Sequence, residues 1–275
     1  MPLVKDIAIV LRRLDYSETS QVLAVLTRQH GQARLIAKGI KRSTKTRVAV
    51  GIDLLELGRV VFSRRPGKED NLATLTEWRQ EDNFAYLRRD LVRCYAAQYA
   101  AEVTSHMTEV HDPHRALFDG FHRFLRVLAR EDAVASLAGY LWLLLCEIGL
   151  RPELSRCVGC GRDINCGTGV SPVMDHRRDA GATRRRCYRD NDEPLYFSSR
   201  QGGAICRDCE PAMVEKRRIS TAVARLLTSC EQFDKAQARS AFDLLDYHVT
   251  EIMARRPRLS RMLLAALEDE LRRRD

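Results

Sequence analysis

The sequence predicts an α+β protein: a small five-stranded β-barrel over residues 1–80, then an α-helical domain over 81–275 with an inserted four-Cys zinc site. Three observations predict it. Apolar residues alternate through the first eighty positions, they recur every three or four positions afterwards, and two Cys-x-x-Cys pairs interrupt the helical part.

Ile7, Ile9 and Leu11 share one face of a first strand, with Ala8 and Val10 on the other. "TSQVLAVLTRQHG" (19–31) repeats the alternation and ends at Gly31, and "QARLIAKG" (32–39) continues after a tight turn. "DLLELGRVVFSRR" (53–65) is a fourth strand in which Gly58 marks a bulge or bend. "PGKED" (66–70) is a turn, and "NLATLTEWRQ" (71–80) a fifth strand. Five short strands in this length fit an oligonucleotide-binding barrel or an SH3-like one.

From Phe84 the period changes. Phe84, Leu87, Leu91, Tyr95, Tyr99, Val103 and Met107 form the apolar stripe of a long helix. Asp112–Pro113 offers an N-cap and first-turn proline for a second helix, lined by Leu117, Phe121, Phe124 and Leu128. Val134, Leu137, Leu141, Leu144 and Ile148 line a third. Ser220 is placed to cap another, and Phe242, Leu245, Val249 and Ile252 mark one that stops near Pro257. Between them lies a non-helical insert at 151–218.

Forty-six Lys and Arg against thirty-seven Asp and Glu give a formal charge of +9, which suits an anionic partner or a solvated basic surface. The N-terminus has no signal-peptide layout, since charges appear at Lys5, Asp6, Arg12 and Arg13. The longest apolar run (137–150) contains Glu147 and falls short of the roughly 18 residues that cross a bilayer, so no membrane partner is expected. Nine cysteines without an export signal point to reduced thiols and a cytoplasmic protein.

"CVGC" supplies Cys157 and Cys160, and "CRDC" supplies Cys206 and Cys209. Two such pairs set four thiolates around a zinc ion with a metal–sulfur shell of about 2.3 Å. Gly159 and Gly161 flank the first pair, and Gly202 and Gly203 precede the second. The gap between the pairs exceeds the usual spacing because of the Gly-, Asp- and Arg-rich segment 161–192, expected to be a disordered insertion. Cys166 and Cys187 lie inside it as substitute ligands; Cys94, Cys146 and Cys230 read as core residues. The alternatives are free thiols or a labile disulfide. Four thiolates leave no open coordination position, so the zinc is expected to be structural.

No phosphate-binding Gly-rich loop, nucleophile elbow or carboxylate cluster occurs, and His106, His111, His114 and His122 lack a completing acid pair. The chain is therefore not expected to be an enzyme. Lys38, Lys41, Arg42, Lys45 and Arg47 crowd the segment between strands three and four without an acid, and Arg64, Arg65 and Lys68 crowd the next turn. Such segments suit phosphate backbones, or else are solvated loops. Tyr16, Phe62 and Trp78 are the stacking candidates.

The opening "DIAIVLRRLDYSETSQVLAVLTRQHGQARLIAKGIKR", with its "Y-x-E-x-S" turn and "KGI+R" loop, resembles the RecO family of bacterial recombination mediators. "EIGLRPELSRCVGC" resembles the same family's C-terminal part, whereas the Arg-rich insertion departs from it. The resemblance implies an OB-fold barrel, a helical domain with a zinc site, and a non-enzymatic role in DNA repair. That role comprises binding single- and double-stranded DNA, annealing strands, and helping RecR load RecA onto strands coated by single-stranded DNA-binding protein. It also implies a nucleoid-associated location. The competing readings are an RNA-binding or translation-associated zinc protein, and a zinc enzyme.

Overall fold

In the computed structural model, residues 2–41, 51–63, 72–164, 194–229 and 234–272 are described. The alternating segments become β1 (Leu3–Asp15), β2 (Gln21–Thr27), β3 (Gly31–Ala37), β4 (Leu57–Ser63) and β5 (Ala73–Asp82). They close in the order β1-β2-β3-β5-β4. Antiparallel ladders join every pair except β3 and β5, which run parallel and, among the described residues, meet at Leu35–Ala73 and Ile36–Thr74.

Ala8, Val10, Leu23, Val25, Ala33, Leu35, Val60 and Phe62 fill the inside of this sheet. Ile9, Leu11 and Leu26, on the other face, pack into one continuous core with the helices. Both faces of mid-β1 are thus dry, which is why "AIVL" is apolar at consecutive positions. At about 1.5–3 kcal/mol per buried aliphatic side chain, that second face ties the two halves together strongly.

The expected fold class, a small five-stranded OB-fold barrel followed by an α-helical domain with an inserted four-Cys zinc site, needs correction. The five-stranded sheet does not stand as a separate barrel, since its outer face shares one core with the helices, and the insert expected to be non-helical carries a three-stranded sheet. Periodicity within one strand reports that a side is apolar, but not which element covers it.

Gly58 is the bulge its position suggested: the β4–β5 register shifts there, and a Cβ would lie 2.7 Å from the Trp78 ring. Gly31 is more constrained. Its φ is +70°, and a Cβ would meet the Asp112 carbonyl oxygen at 2.2 Å. The β2–β3 turn docks here on the chain after the first helix, where His111 N–H donates to the Gln32 carbonyl and the Thr108 hydroxyl to Gln32 Oε1. Gly31→Ala is therefore expected to cost at least about 2 kcal/mol in urea unfolding, through left-handed strain and a backbone clash together.

The helices are α1 (Leu91–Met107), α2 (Arg115–Val127), α3 (Ala133–Glu147), α4 (Thr221–Ser229), α5 (Lys235–Ile252) and α6 (Arg258–Arg272). The first starts later than its stripe suggested. Phe84 has φ +44°, Ala85–Arg89 form a 3-10 turn, and extended Asp90 then caps α1 by accepting from Arg93 N–H. The expected Asp112 cap for α2 also fails. That helix begins after His114, the Asp112 backbone is pressed against Gly31, and its carboxylate pairs with His114 at 3.0 Å. Asp132 caps α3, and Asp234 with Gln237 forms a capping box on α5. Buried Ala96, Ala97, Ala100 and Ala101 leave room for α1 to sit centrally, packed by both α3 and α6. Among the described residues no helix is long and apolar enough to cross a membrane.

Between α3 and α4 lies an antiparallel sheet of β6 (Leu195–Ser198), β7 (Gly203–Ile205) and β8 (Arg217–Ile219), in the order β7-β6-β8. Residues 165–193, which hold most of the expected disordered insertion with Cys166 and Cys187, lie outside the described residues, as does Cys230. Cys94 and Cys146 are only partly buried.

Candidate metal centre and nucleic-acid interface

The insert brings the two cysteine pairs together. The Sγ atoms of Cys157, Cys160, Cys206 and Cys209 all lie within 4.8 Å of one another, and Cys160 and Cys206 are 3.7 Å apart. A tetrahedron with metal–sulfur bonds of about 2.3 Å has edges of about 3.8 Å, so the four sulfurs fit one ion. No second such group of ligands occurs among the described residues.

Backbone bonds build the clip. Gly161 N–H donates to the Cys157 carbonyl and Glu210 N–H to the Cys206 carbonyl, which closes each knuckle. Val158 N–H donates to Ala204 O at 2.9 Å and joins the first knuckle to β7. Arg162 and Asp208 pair across the two knuckles at 2.8 Å. At Gly159 a Cβ would come within 3.1 Å of Cys209 Sγ, so the close approach favours glycine there. Gly203 has no room either, since a Cβ would lie 2.5 Å from Glu153 O.

The four thiols act on one another electrostatically. Burial pushes the Cys157 thiol up, but the backbone amides of Cys206, Cys160 and Gly159 outweigh it and bring it down to about 7. Cys206 is pushed up by burial first and then by its neighbour Cys157. Cys209 is pushed further up, again by burial first and then by the surrounding sulfurs. One thiolate therefore forms readily and opposes the next, a conflict that a divalent cation removes. Cys157 and Cys206 are buried, and Cys160 is the exposed corner.

A histidine holds this sheet to the helices. The Leu150 carbonyl can only accept, so His248 Nε2 carries the proton toward it at 3.2 Å, and Nδ1 accepts from the Ser199 hydroxyl at 2.7 Å. The Glu215 carboxylate collects Ser198 Oγ and the N–H groups of Ser199 and Arg200, which fixes the β6–β7 turn. His248, His122 and His106 all titrate below the ordinary 6.5, burial being the main cause in each. A depressed histidine contributes stability above pH 6.5 that is lost as pH falls through its lowered value. Thermal melts are thus expected to drop in temperature as pH falls below 6.5, with a shallower drop in His248→Gln.

The basic residues divide. Lys38 follows β3 and is exposed. Lys41 is engaged: its Nζ pairs with Asp15 at 2.6 Å, an interaction that holds the Asp15 carboxyl below its usual range. Arg42, Lys45, Arg47, Arg64, Arg65 and Lys68 lie outside the described residues. The described strand ends that flank the second of these stretches meet beside β3, where Leu35 pairs with Ala73 and Thr74 with Ser63. Tyr16, Ser17, Thr19 and Ser20 of the β1–β2 turn face Ile36, Lys38 and Gly39 across an open cleft. Of the expected stacking side chains, Tyr16 is 68% exposed and Phe62 is buried in the sheet. Trp78 is half-buried against Gly58. Alternation could have separated Phe62 from Tyr16, since only Phe62 lies on the inward face of its strand.

A family model described as "Recombination protein O N terminal" matches residues 1–84, and one described as "Recombination protein O C terminal" matches 88–195. The second match includes Cys157 and Cys160 but ends before Cys206. The chain is similar to the DNA repair protein RecO of Rhodopirellula baltica, 32% identical over 206 residues, or 74% of this chain and 66% of that protein. It is also similar to those of Bacillus pumilus, 29% identical over 84% of this chain and 78% of the relative, and Halalkalibacterium halodurans, 26% over 82% and 76%. With both halves matched in order and full relatives bearing one name, the chain belongs to the RecO family of DNA repair proteins.

Proposed function

We propose that this protein is a non-catalytic recombination mediator that binds single-stranded DNA at the cleft between the β1–β2 turn and the end of β3. There it anneals complementary strands and helps load the recombinase onto protein-coated DNA. Double-stranded DNA, RecR and single-stranded DNA-binding protein are direct partners in this reading, and RecA an indirect one. The observation that carries it is the cleft itself. An exposed tyrosine, three hydroxyl side chains and Lys38 line this one cleft, and strongly basic stretches follow Lys41 and Ser63 in the sequence. Phosphates are met by lysine and hydroxyl groups, and a base stacks on the ring. The four-Cys centre holds one zinc ion with all four positions filled by protein, so its contribution is to fix the β6–β8 sheet and its approach to α5.

Lys38→Ala is expected to weaken binding of a single-stranded oligonucleotide and to reduce its log–log salt slope by about 0.7, one phosphate contact. Lys41 is already neutralised by Asp15, so Lys41→Ala is expected to do less. Asp15→Asn, which releases Lys41, should tighten binding. Fluorescence anisotropy across a salt series measures all three. A strand-annealing assay with and without bound single-stranded DNA-binding protein tests the mediator role. Clear preference for RNA over DNA of the same sequence would move the protein to an RNA-binding function.

A further inference from the structure

The turn between α5 and α6 reads "ARRPR" (254–258) and is held rigidly at both ends. Ala254 has φ +52°, and Pro257 is buried. Glu102 of α1 accepts from the N–H groups of Arg258 and Leu259 at 3.0 and 3.2 Å, so its carboxylate caps α6 from a neighbouring helix. Arg256 folds back to Ser260 and the buried Asp246. Arg255 and Arg258 are left exposed, with no carboxylate partner among the described residues. The Arg255 guanidinium donates to His106 Nε2 at the end of α1.

Arg12 of β1 lies in the same neighbourhood. His106 is held below its ordinary value by burial first, then by Arg255 and Arg12, with Arg258 adding to them and Glu102 opposing. Arg255 touches the imidazole, the Arg12 and Arg258 charges act on it from farther away, β1 packs on α1 here, and the Glu102 carboxylate is occupied by two backbone amides. Such a concentration of like charge, fixed before any ligand arrives, is a ready receptor for phosphate oxygens.

The second observation is what leads away from it. Past the β1 bulge between Val10 and Arg12, the strand alternates regularly to Asp15, so Arg12 and Leu14 share a face, and Tyr16 follows the strand's last pair and lines the cleft. Leu14 is 64% and Tyr16 68% exposed. On the opposite side Arg13 and Asp15 are engaged in ion pairs with Asp53 and Lys41. Arg12 stands four residues, about 13 Å, from Tyr16 and the cleft beside Lys38. An exposed face that runs from a cluster of arginines through an apolar and then an aromatic side chain suits a single strand, which offers phosphates and unstacked bases together; a duplex offers only the former.

We infer that a single DNA strand runs along the exposed face of β1, with phosphates against Arg12, Arg255 and Arg258 and bases against Leu14 and Tyr16. This track rests on the DNA-binding reading above and extends it from the cleft to the helical half. Its length would let one chain hold several nucleotides extended, with their bases on one side.

The test uses the full chain and a fluorescein-labelled oligothymidylate, with a duplex of equal length as the second arm. The double variant Arg255→Ala/Arg258→Ala is expected to lower the single-strand salt slope by roughly 1.4, two phosphate contacts, and Arg12→Ala by about 0.7. Tyr16→Ala is expected to weaken single-strand binding several-fold and leave duplex affinity unchanged. Unchanged slope and affinity in the double variant, with a wild-type melting temperature, would overturn the track. Equal losses on both DNA forms in Tyr16→Ala would also overturn it. Lys38→Ala separates the two readings. If it loses affinity while the arginine variants do not, the cleft stands and the track fails; if all are silent, both fail. A poly-aspartate peptide that binds the arginine cluster more tightly than the oligonucleotide would reassign that surface to an acidic protein partner.

Discussion

Replacing Cys206 by serine is expected to abolish stoichiometric zinc binding and to lower the unfolding free energy by more than about 4 kcal/mol. Cys206 is fully buried, its sulfur stands 3.7 Å from Cys160, and its backbone N–H donates to Cys157 Sγ at 3.3 Å. Serine places a poorer metal ligand at the centre of this packing and leaves three sulfurs gathered without a cation. The damage should spread to β6–β8, because Val158 bonds to β7 and Arg162 bridges the knuckles. Metal analysis should read one zinc per wild-type chain and less in the variant, with hydrogen exchange accelerated across 194–219. Replacement of Cys160, the exposed corner, is expected to cost less. If Cys206→Ser keeps both its metal and its stability, the centre is not the clip described here.

Asp246→Ala is the second large effect, with an expected cost of about 3–5 kcal/mol. Its carboxylate is nearly buried and accepts from the Tyr99 hydroxyl at 2.8 Å and the Ser260 hydroxyl at 2.9 Å, with Arg256 at 3.5 Å. Tyr99 is wholly buried, and burial followed by the Asp246 charge keeps its hydroxyl protonated far above pH 10. Removing the acceptor strands two hydroxyls in a dry interface and frees Arg256. Asp246→Asn keeps an acceptor, so it should cost about 1–2 kcal/mol. Urea unfolding of both variants measures the difference. Because this carboxylate joins α1, α5 and the start of α6, the alanine variant should also loosen the Arg255–Arg258 turn, and its DNA affinity should be read only where the fold persists.

Much of the molecule was legible from residue patterns. The strand alternation of "IAIVL" and "VLAVL", the bulge at Gly58, the middle of the α1 stripe at Tyr99 and Val103 and the two Cys-x-x-Cys pairs each express a local rule, whereas Leu91, expected on that stripe, is exposed. The failures share a cause. Phe84 and Asp112 sit where the helix pattern or capping chemistry pointed one way, and contacts with distant segments, such as Gly31 on Asp112, decided otherwise. Lys38 and Lys41 look equivalent in sequence, yet Asp15, twenty-six residues before Lys41, neutralises only one of them.

By itself, the sequence determined the strand-rich first half, the helical character of most of the second, and the four cysteines that the fold gathers into one cluster. These depend on period and on short spacings that neighbouring residues enforce. Only the tertiary structure decided that the closed sheet and the helices share a core, that Asp246 and Glu102 hold α6, and that Arg255 reaches His106 at the end of α1, about a hundred and fifty residues earlier in the chain. Those contacts arise when elements far apart in the chain bury their apolar faces together, and no local pattern encodes which faces meet.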